Sequence, residues 1–179
     1  MHSARPPASS RLGLTPGSLA PAWLRRRRDD RQMIVDAADP RPDSTPNSGE
    51  PLILDVGRGI TLRGRAWGPV DGEPWLVLHG WLDNCASFDF LCPLLLKAAA
   101  GRGKPMRLVC LDFAGHGHSS HRHGCSYTTA DHVHDTRMAV LRLGWDEFNI
   151  IGHSMGGGIA ATLAGPYPSR PSSCFLCCW

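Results

Sequence analysis

Three short apolar-rich runs constrain this chain more than any other feature: residues 75–78 and 108–111, which are continuous, and 148–151, broken only by Asn149. Each is too short for a helix and lacks the alternation of a half-exposed strand, so each reads as a strand buried on both faces. Between and after them lie segments with helical spacing. Residues 88–100 stop before Gly101 and Gly103. Residues 128–143 carry Val133, Met138, Val140 and Leu141 and stop at Gly144. Residues 155–164 are small and apolar, with Pro166 beyond. Strands alternating with helices of this length imply crossover connections and a parallel sheet. Ahead of them, residues 51–56 and 60–67 flank Gly57-Arg58-Gly59, a hairpin signal that adds an antiparallel edge. The expected fold class is therefore α/β, a mostly parallel sheet with an N-terminal antiparallel hairpin and flanking helices.

The order begins at about residue 51. Seven of the fifteen prolines fall in residues 1–50, which show neither a helical nor a strand period, so a disordered Pro/Arg-rich tail is expected there. Its first 28 residues hold six arginines and no acid, a composition that resembles an organelle transit peptide, although Pro6, Pro7, Pro16 and Pro21 interrupt any amphipathic helix. No apolar stretch approaches the roughly 18–20 residues that cross a bilayer, and no secretory core follows Met1. An intracellular, cytoplasmic setting is the expectation. A net charge of +3 is too mild to mark a nucleic-acid binder. The run Arg25 to Arg28, a conceivable RNA contact, is more simply a solvated face beside Asp29 and Asp30. The seven cysteines sit mostly in apolar runs and read as small hydrophobes rather than a disulfide framework.

Gly152-His153-Ser154-Met155-Gly156 is G-x-S-x-G between an expected strand and an expected helix, the context that gives the pattern meaning. A serine on so tight a turn is pushed out of the sheet edge. Gly152 and Gly156 are needed because a side chain at either place would collide with neighbouring backbone. Ser154 then lies at a helix N-terminus, where free N–H groups favour negative charge, and the Met155 N–H is placed to hold an oxyanion. A phosphate-binding loop would want Gly-Lys-Ser or Gly-Lys-Thr, which is absent. A second oxyanion donor is expected from the loop after an adjacent strand: His79-Gly80-Trp81, with the Trp81 N–H facing the site and Gly80 letting the backbone bend. His79 itself reads as a core histidine satisfied by hydrogen bonds rather than a base. Six histidines and Cys125 fall between His116 and His134, but their spacing matches no zinc pattern, and Cys174, Cys177 and Cys178 lie in an apolar terminal run better read as a strand. No metal is expected.

These motifs carry a resemblance. His79-Gly80-Trp81-Leu82-Asp83-Asn84, Asp112-Phe113-Ala114-Gly115-His116-Gly117-His118-Ser119 and Gly152-His153-Ser154-Met155-Gly156 occur in the order and spacing of the α/β-hydrolase fold, and in detail resemble the serine hydrolase-like proteins within it. The resemblance covers about residues 53–170. It implies Ser154 as nucleophile, Met155 and Trp81 N–H groups as the oxyanion hole, and Asp112 with the Gly115-His116-Gly117 loop shaping the rim. Many relatives carry Arg where Ala114 stands. It also implies a small-molecule ester or other acyl substrate and no cofactor; oligomeric state is not legible.

The sequence departs from the family in one respect. The family's triad runs Ser, then Asp or Glu, then His, yet the 25 residues after Ser154 contain none of the three. His153 adjoins the serine but is expected to point away from its hydroxyl. The resemblance therefore implies that residues 51–179 are the N-terminal part of a hydrolase domain, with acid and base missing and activity impaired. The competing expectation is a non-catalytic truncated pseudoenzyme or interaction fragment.

Overall fold

The computed structural model describes residues 48–124, 126–165 and 170–177. The expected tail falls almost wholly outside the described residues, as do Cys125, Cys178, Pro166 and Pro168. Six strands and three helices follow one another in the chain: β1 (Glu50–Gly57), β2 (Ile60–Trp67), β3 (Glu73–Leu78), α1 (Leu91–Ala100), β4 (Met106–Leu111), α2 (Thr129–Leu143), β5 (Glu147–His153), α3 (Met155–Leu163) and β6 (Arg170–Cys177). They form one sheet of order β1-β2-β4-β3-β5-β6. β1 and β2 are antiparallel, β2 runs antiparallel to β4, and the pairs β4–β3, β3–β5 and β5–β6 are parallel. The expected architecture is thus the observed one.

The hairpin turn shows how local sequence sets the edge. Gly57, Arg58 and Gly59 have φ of 86°, 57° and 72°. Positive φ at both central residues, Arg58 and Gly59, is what a two-residue hairpin loop needs to match the strand twist. β4 is buried at all six positions, as an uninterrupted apolar run at the centre of a sheet should be. Side chains of the central strands alternate between two cores. Leu76, Leu78, Val109, Leu111, Phe148 and Ile150 pack on the face covered by α2 and α3. Val77, Leu108 and Cys110 pack on the other face, against Cys92 and Ala99 of α1.

Helix boundaries follow their caps. Thr128 and Asp131 form a reciprocal capping box at the start of α2, and Gly144, at φ 69° and ψ 29°, ends it in the left-handed conformation. The segment expected as one helix over residues 88–100 is instead a short 3-10 turn, Cys85–Phe88, followed by α1. Asn84 caps the turn by accepting the Ala86 N–H, and Asp89 is drawn into an ion pair with Arg65 of β2. α1 ends before Gly101, as expected; Gly101 stays right-handed and Gly103, at φ 68°, makes the reversal. Pro171 lies inside β6, beside a register shift opposite Phe148 and Asn149 of β5, the kind of irregular edge position where a residue without N–H is tolerated.

Among the described residues no helix is long and apolar enough to cross a membrane. Cys85, Cys92 and Cys110 are buried thiols and Cys174 is an exposed one. Burial pushes the Cys92 thiol up to about 12, so it is inert as a nucleophile.

Candidate functional site

The polar residues singled out in the sequence meet at the carboxyl ends of β3, β4 and β5. β5 ends at His153 and α3 begins at Met155. Ser154 alone makes the turn, exposed, at φ 52° and ψ −116°. That is a sparsely populated conformation for a residue with a side chain, costing about 1–3 kcal/mol. The chain reverses there because nothing blocks it. A Cβ on Gly152 would lie 2.5 Å from the Gly156 carbonyl oxygen, and one on Gly156 would lie 2.5 Å from the Leu78 oxygen and 2.6 Å from the His79 oxygen. Both glycines answer to close approach of backbone, as their spacing suggested.

The amides that open α3 are nearly all engaged. Gly156 N–H donates to the His79 carbonyl at 3.1 Å, and the Gly157 and Gly158 N–H groups donate to the Ser154 carbonyl at 2.9 and 3.2 Å. Neither the Met155 N–H nor the Trp81 N–H, in the loop after β3, takes part in the backbone hydrogen bonds that join turns and loops among the described residues. Gly80 separates that loop from the serine turn: its Cβ would lie 3.0 Å from His153 Nδ1 and 3.4 Å from Ser154 Cβ. Gly80 does not adopt a positive φ. A side chain at position 80 would press on His153 and Ser154. His153 lays its ring against Gly80.

His79 is fully buried with both ring nitrogens bonded. Phe113 N–H donates to Nε2 at 3.1 Å, and Nδ1 lies 2.8 Å from the Gly80 carbonyl. Burial holds its pKa below the ordinary histidine value.

Asp112, after β4, does more than shape a rim. One carboxylate oxygen accepts the buried Cys85 N–H at 2.7 Å and the other the His118 N–H at 2.9 Å, while its carbonyl accepts the Ser119 hydroxyl at 2.6 Å. A Cβ at Gly117 would fall on this carboxylate, and one at Gly115 on the Tyr127 ring. Both glycines are at positive φ, 80° for Gly115 and 49° for Gly117. Asp112 thus ties the loop after β3 to the loop after β4. Asp112→Asn, which turns one acceptor into a donor facing an N–H, should lower stability by about 2 kcal/mol in urea unfolding.

The histidine-rich stretch divides. His118 is exposed. His116 and His132 are buried; His132 stacks on Tyr127, and tilted or edge-on contacts join the two to each other and to His79, Phe113 and Trp81, with ring centroids 5.3 Å apart for His79–His116 and 5.8 Å for His116–His132. His116 Nε2 and both His132 nitrogens lack a hydrogen-bond partner among the described residues. Burial, with His116 and Arg122 nearby, pushes His132 down to about 4. Helical spacing alone marked residues 128–143 and gave no hint that His132 is an interior residue. No group of three or more His, Cys, Asp or Glu among the described residues is arranged to hold a metal ion.

A cavity of about 370 Å³ lies elsewhere, lined by Gly68, Pro69, Leu96, Ala100, Lys104 and Met106 at the end of the sheet where β4 starts. Ser154, at the opposite end, stands on open surface beside Trp81, itself 60% exposed.

Sheet order, flanking helices and the serine turn together define the class of α/β proteins built like hydrolases. A family profile of the alpha/beta hydrolase fold matches residues 73–179. The chain belongs to that family. It is 47% identical over 116 residues to a serine hydrolase-like protein of Danio rerio, covering 64% of this chain and 33% of that protein. It is 41% identical over 116 residues to a serine hydrolase-like protein of Homo sapiens, covering 64% of this chain and 54% of that protein. Among solved structures, a hypothetical protein from Pseudomonas aeruginosa superposes with a TM-score of 0.62 at 42% identity, over 70% of this chain and 42% of that one. A thioesterase domain from the curacin biosynthetic pathway superposes with a TM-score of 0.61 at 26% identity, over 71% and 45%. The chain spans between a third and about half of the length of the curated relatives it matches.

Proposed function

We propose that this chain carries the nucleophile and oxyanion half of a serine hydrolase acting on an ester-like or other acyl substrate. The observation that carries the reading is Ser154: a lone exposed residue held at φ 52° between a buried strand and a helix, with its helix's first amide outside the backbone hydrogen bonds that join turns and loops. In the proposed reaction its hydroxyl, losing its proton to a base, attacks the substrate carbonyl. The Met155 and Trp81 N–H groups stabilise the tetrahedral oxyanion, which collapses by breaking the bond to the leaving group, and that group departs with the proton; water then hydrolyses the acyl-enzyme to the free acid and the serine. Residues 51–179 serve as the N-terminal part of the hydrolase domain. No metal or organic cofactor enters this chemistry.

A serine hydroxyl is a weak nucleophile until a base takes its proton. No Asp, Glu or His occurs among residues 155–179, and His79 has both nitrogens committed. We therefore expect the 179-residue chain alone to turn over p-nitrophenyl acetate only residually, with a rate that Ser154→Ala leaves unchanged. Oxyanion donors and binding without a base give about 10³–10⁴-fold over water in well-studied triads.

The absence of acid and base after Ser154 also favours a second reading, a non-catalytic interaction fragment. Fluorophosphonate labelling separates the two when imidazole is added as an external base. Intact-mass gain mapped to Ser154, faster with imidazole and absent in Ser154→Ala, supports the hydrolase reading. A chain that stays unlabelled at Ser154 over the whole imidazole range is the non-catalytic fragment.

A further inference from the structure

We infer that His79 is a positioning residue that aims the Trp81 amide, holding it by a neutral imidazole with its proton on Nδ1. The inference rests on the proposed oxyanion role of Trp81 and adds the device that sets its direction. The tautomer follows from the partners. A backbone N–H only donates, so Phe113 fixes Nε2 as the acceptor; a carbonyl oxygen only accepts, so Gly80 fixes Nδ1 as the donor. The Gly80–Trp81 peptide is trans, since the described chain has no cis peptide bond. In a trans peptide plane the C=O and N–H point in opposite directions. Pinning the Gly80 oxygen toward the buried His79 ring therefore turns the Trp81 N–H away from that ring.

The main chain of His79 completes the device. Its carbonyl accepts the Gly156 N–H at 3.1 Å. One residue therefore fixes both the first turn of α3 and the peptide after β3. Protonation breaks the arrangement, because a second ring proton on Nε2 would face the Phe113 N–H. Burial, His116 and His132 oppose the protonated ring; the Gly80 hydrogen bond, Asp112 and Asp83 favour it. The two-sided clamp holds at neutral pH; in acid the ring keeps its bond to Gly80 and loses the one from Phe113.

A ¹⁵N-labelled full chain tests this without any need for catalysis. At neutral pH the His79 ring should show a protonated Nδ1 and an unprotonated Nε2. On acidification its protonation midpoint should lie below 6.5, and the Trp81 amide resonance should follow with the same midpoint, in the wild-type chain and in a His132→Phe background alike. In His79→Gln, whose amide still donates, the Trp81 amide should cease to titrate. In imidazole-assisted fluorophosphonate labelling, His79→Ala should lose about a hundredfold in rate, the size of losing one oxyanion donor, and His79→Gln should recover part of it. A ring carrying its proton on Nε2, or a Trp81 amide indifferent to His79 protonation, overturns the inference. A wild-type chain that shows the tautomer and the titration but never labels at Ser154 refutes the hydrolase reading and leaves the clamp standing.

Discussion

Gly156→Ala is expected to destabilise the protein by about 4 kcal/mol, while Gly158→Ala, two residues along the same helix, stabilises it by up to about 1 kcal/mol. A Cβ at Gly156 would lie 2.5 Å from the Leu78 oxygen and 2.6 Å from the His79 oxygen. Both are backbone atoms at the end of a central strand and have nowhere to go. Overpacking of this kind costs about 1–3 kcal/mol and sometimes more. Pushing α3 off β3 also removes the Gly156 N–H to His79 bond, worth about 1 kcal/mol. At Gly158 a Cβ would meet nothing within 4 Å, and replacing an exposed mid-helix glycine with alanine gains about 1 kcal/mol. Urea midpoints of the two variants should move in opposite directions. Midpoints that move in the same direction, or a tolerated Gly156→Ala, would mean that the serine turn is looser than these close approaches require.

The second large effect is of pH. Stability should fall by about 3 kcal/mol as pH drops from 6.5 to about 4. His132 is 2% exposed, lacks hydrogen-bond partners among the described residues, and protonates at about 4 rather than the ordinary 6.5. Above 6.5 neither state takes the proton and the fold keeps its full stability. Below 6.5 the unfolded chain binds a proton that the folded chain refuses, so stability declines until the folded state protonates as well. His79, also depressed by burial, acts in the same direction. Asp135, raised by burial, opposes it by taking a proton more readily in the folded state. Asp131, held at about 2 by Thr128 and Arg122, loses its stabilising effect only at lower pH. His132→Phe keeps the aromatic contacts with Phe113 and Tyr127 and removes the titrating group. Urea unfolding at pH 7.0, 5.5 and 4.5 should show a much shallower decline in that variant, and one as steep as wild type would place the acid sensitivity elsewhere.

The parts of this structure that the sequence revealed are those fixed by local rules. Gly57-Arg58-Gly59 marked the hairpin because positive φ is a local demand, and the apolar runs at β3, β4 and β5 marked a doubly covered sheet because burial on both faces removes alternation. Gly152 and Gly156 were legible as close-approach glycines because the turn they flank is only one residue long. What escaped depends on partners distant in the chain. The Asp112 carboxylate bridges Cys85 and His118, and no spacing rule reveals that. A side chain at position 80 would press on His153 and Ser154, which lie over seventy positions later. The break between Phe88 and Leu91 follows from Asp89 pairing with Arg65 on another strand, and helical periodicity cannot register it.

The order of the sheet also sets the order in which it can be made. β3 occupies a central place between β4 and β5, with Trp75 opposite Leu108 on one side and Asn149 on the other. Both of its partners are synthesised after it. On the ribosome the β1–β2 hairpin can close as soon as it emerges, because its two strands are adjacent in the chain. The most apolar strands must wait: β3 for β4, and both for β5 and the turn at Ser154. The nascent chain therefore presents residues 75–78 to its surroundings until β4 and then β5 have been made, and chaperone capture, if it occurs, belongs to that interval and to that segment.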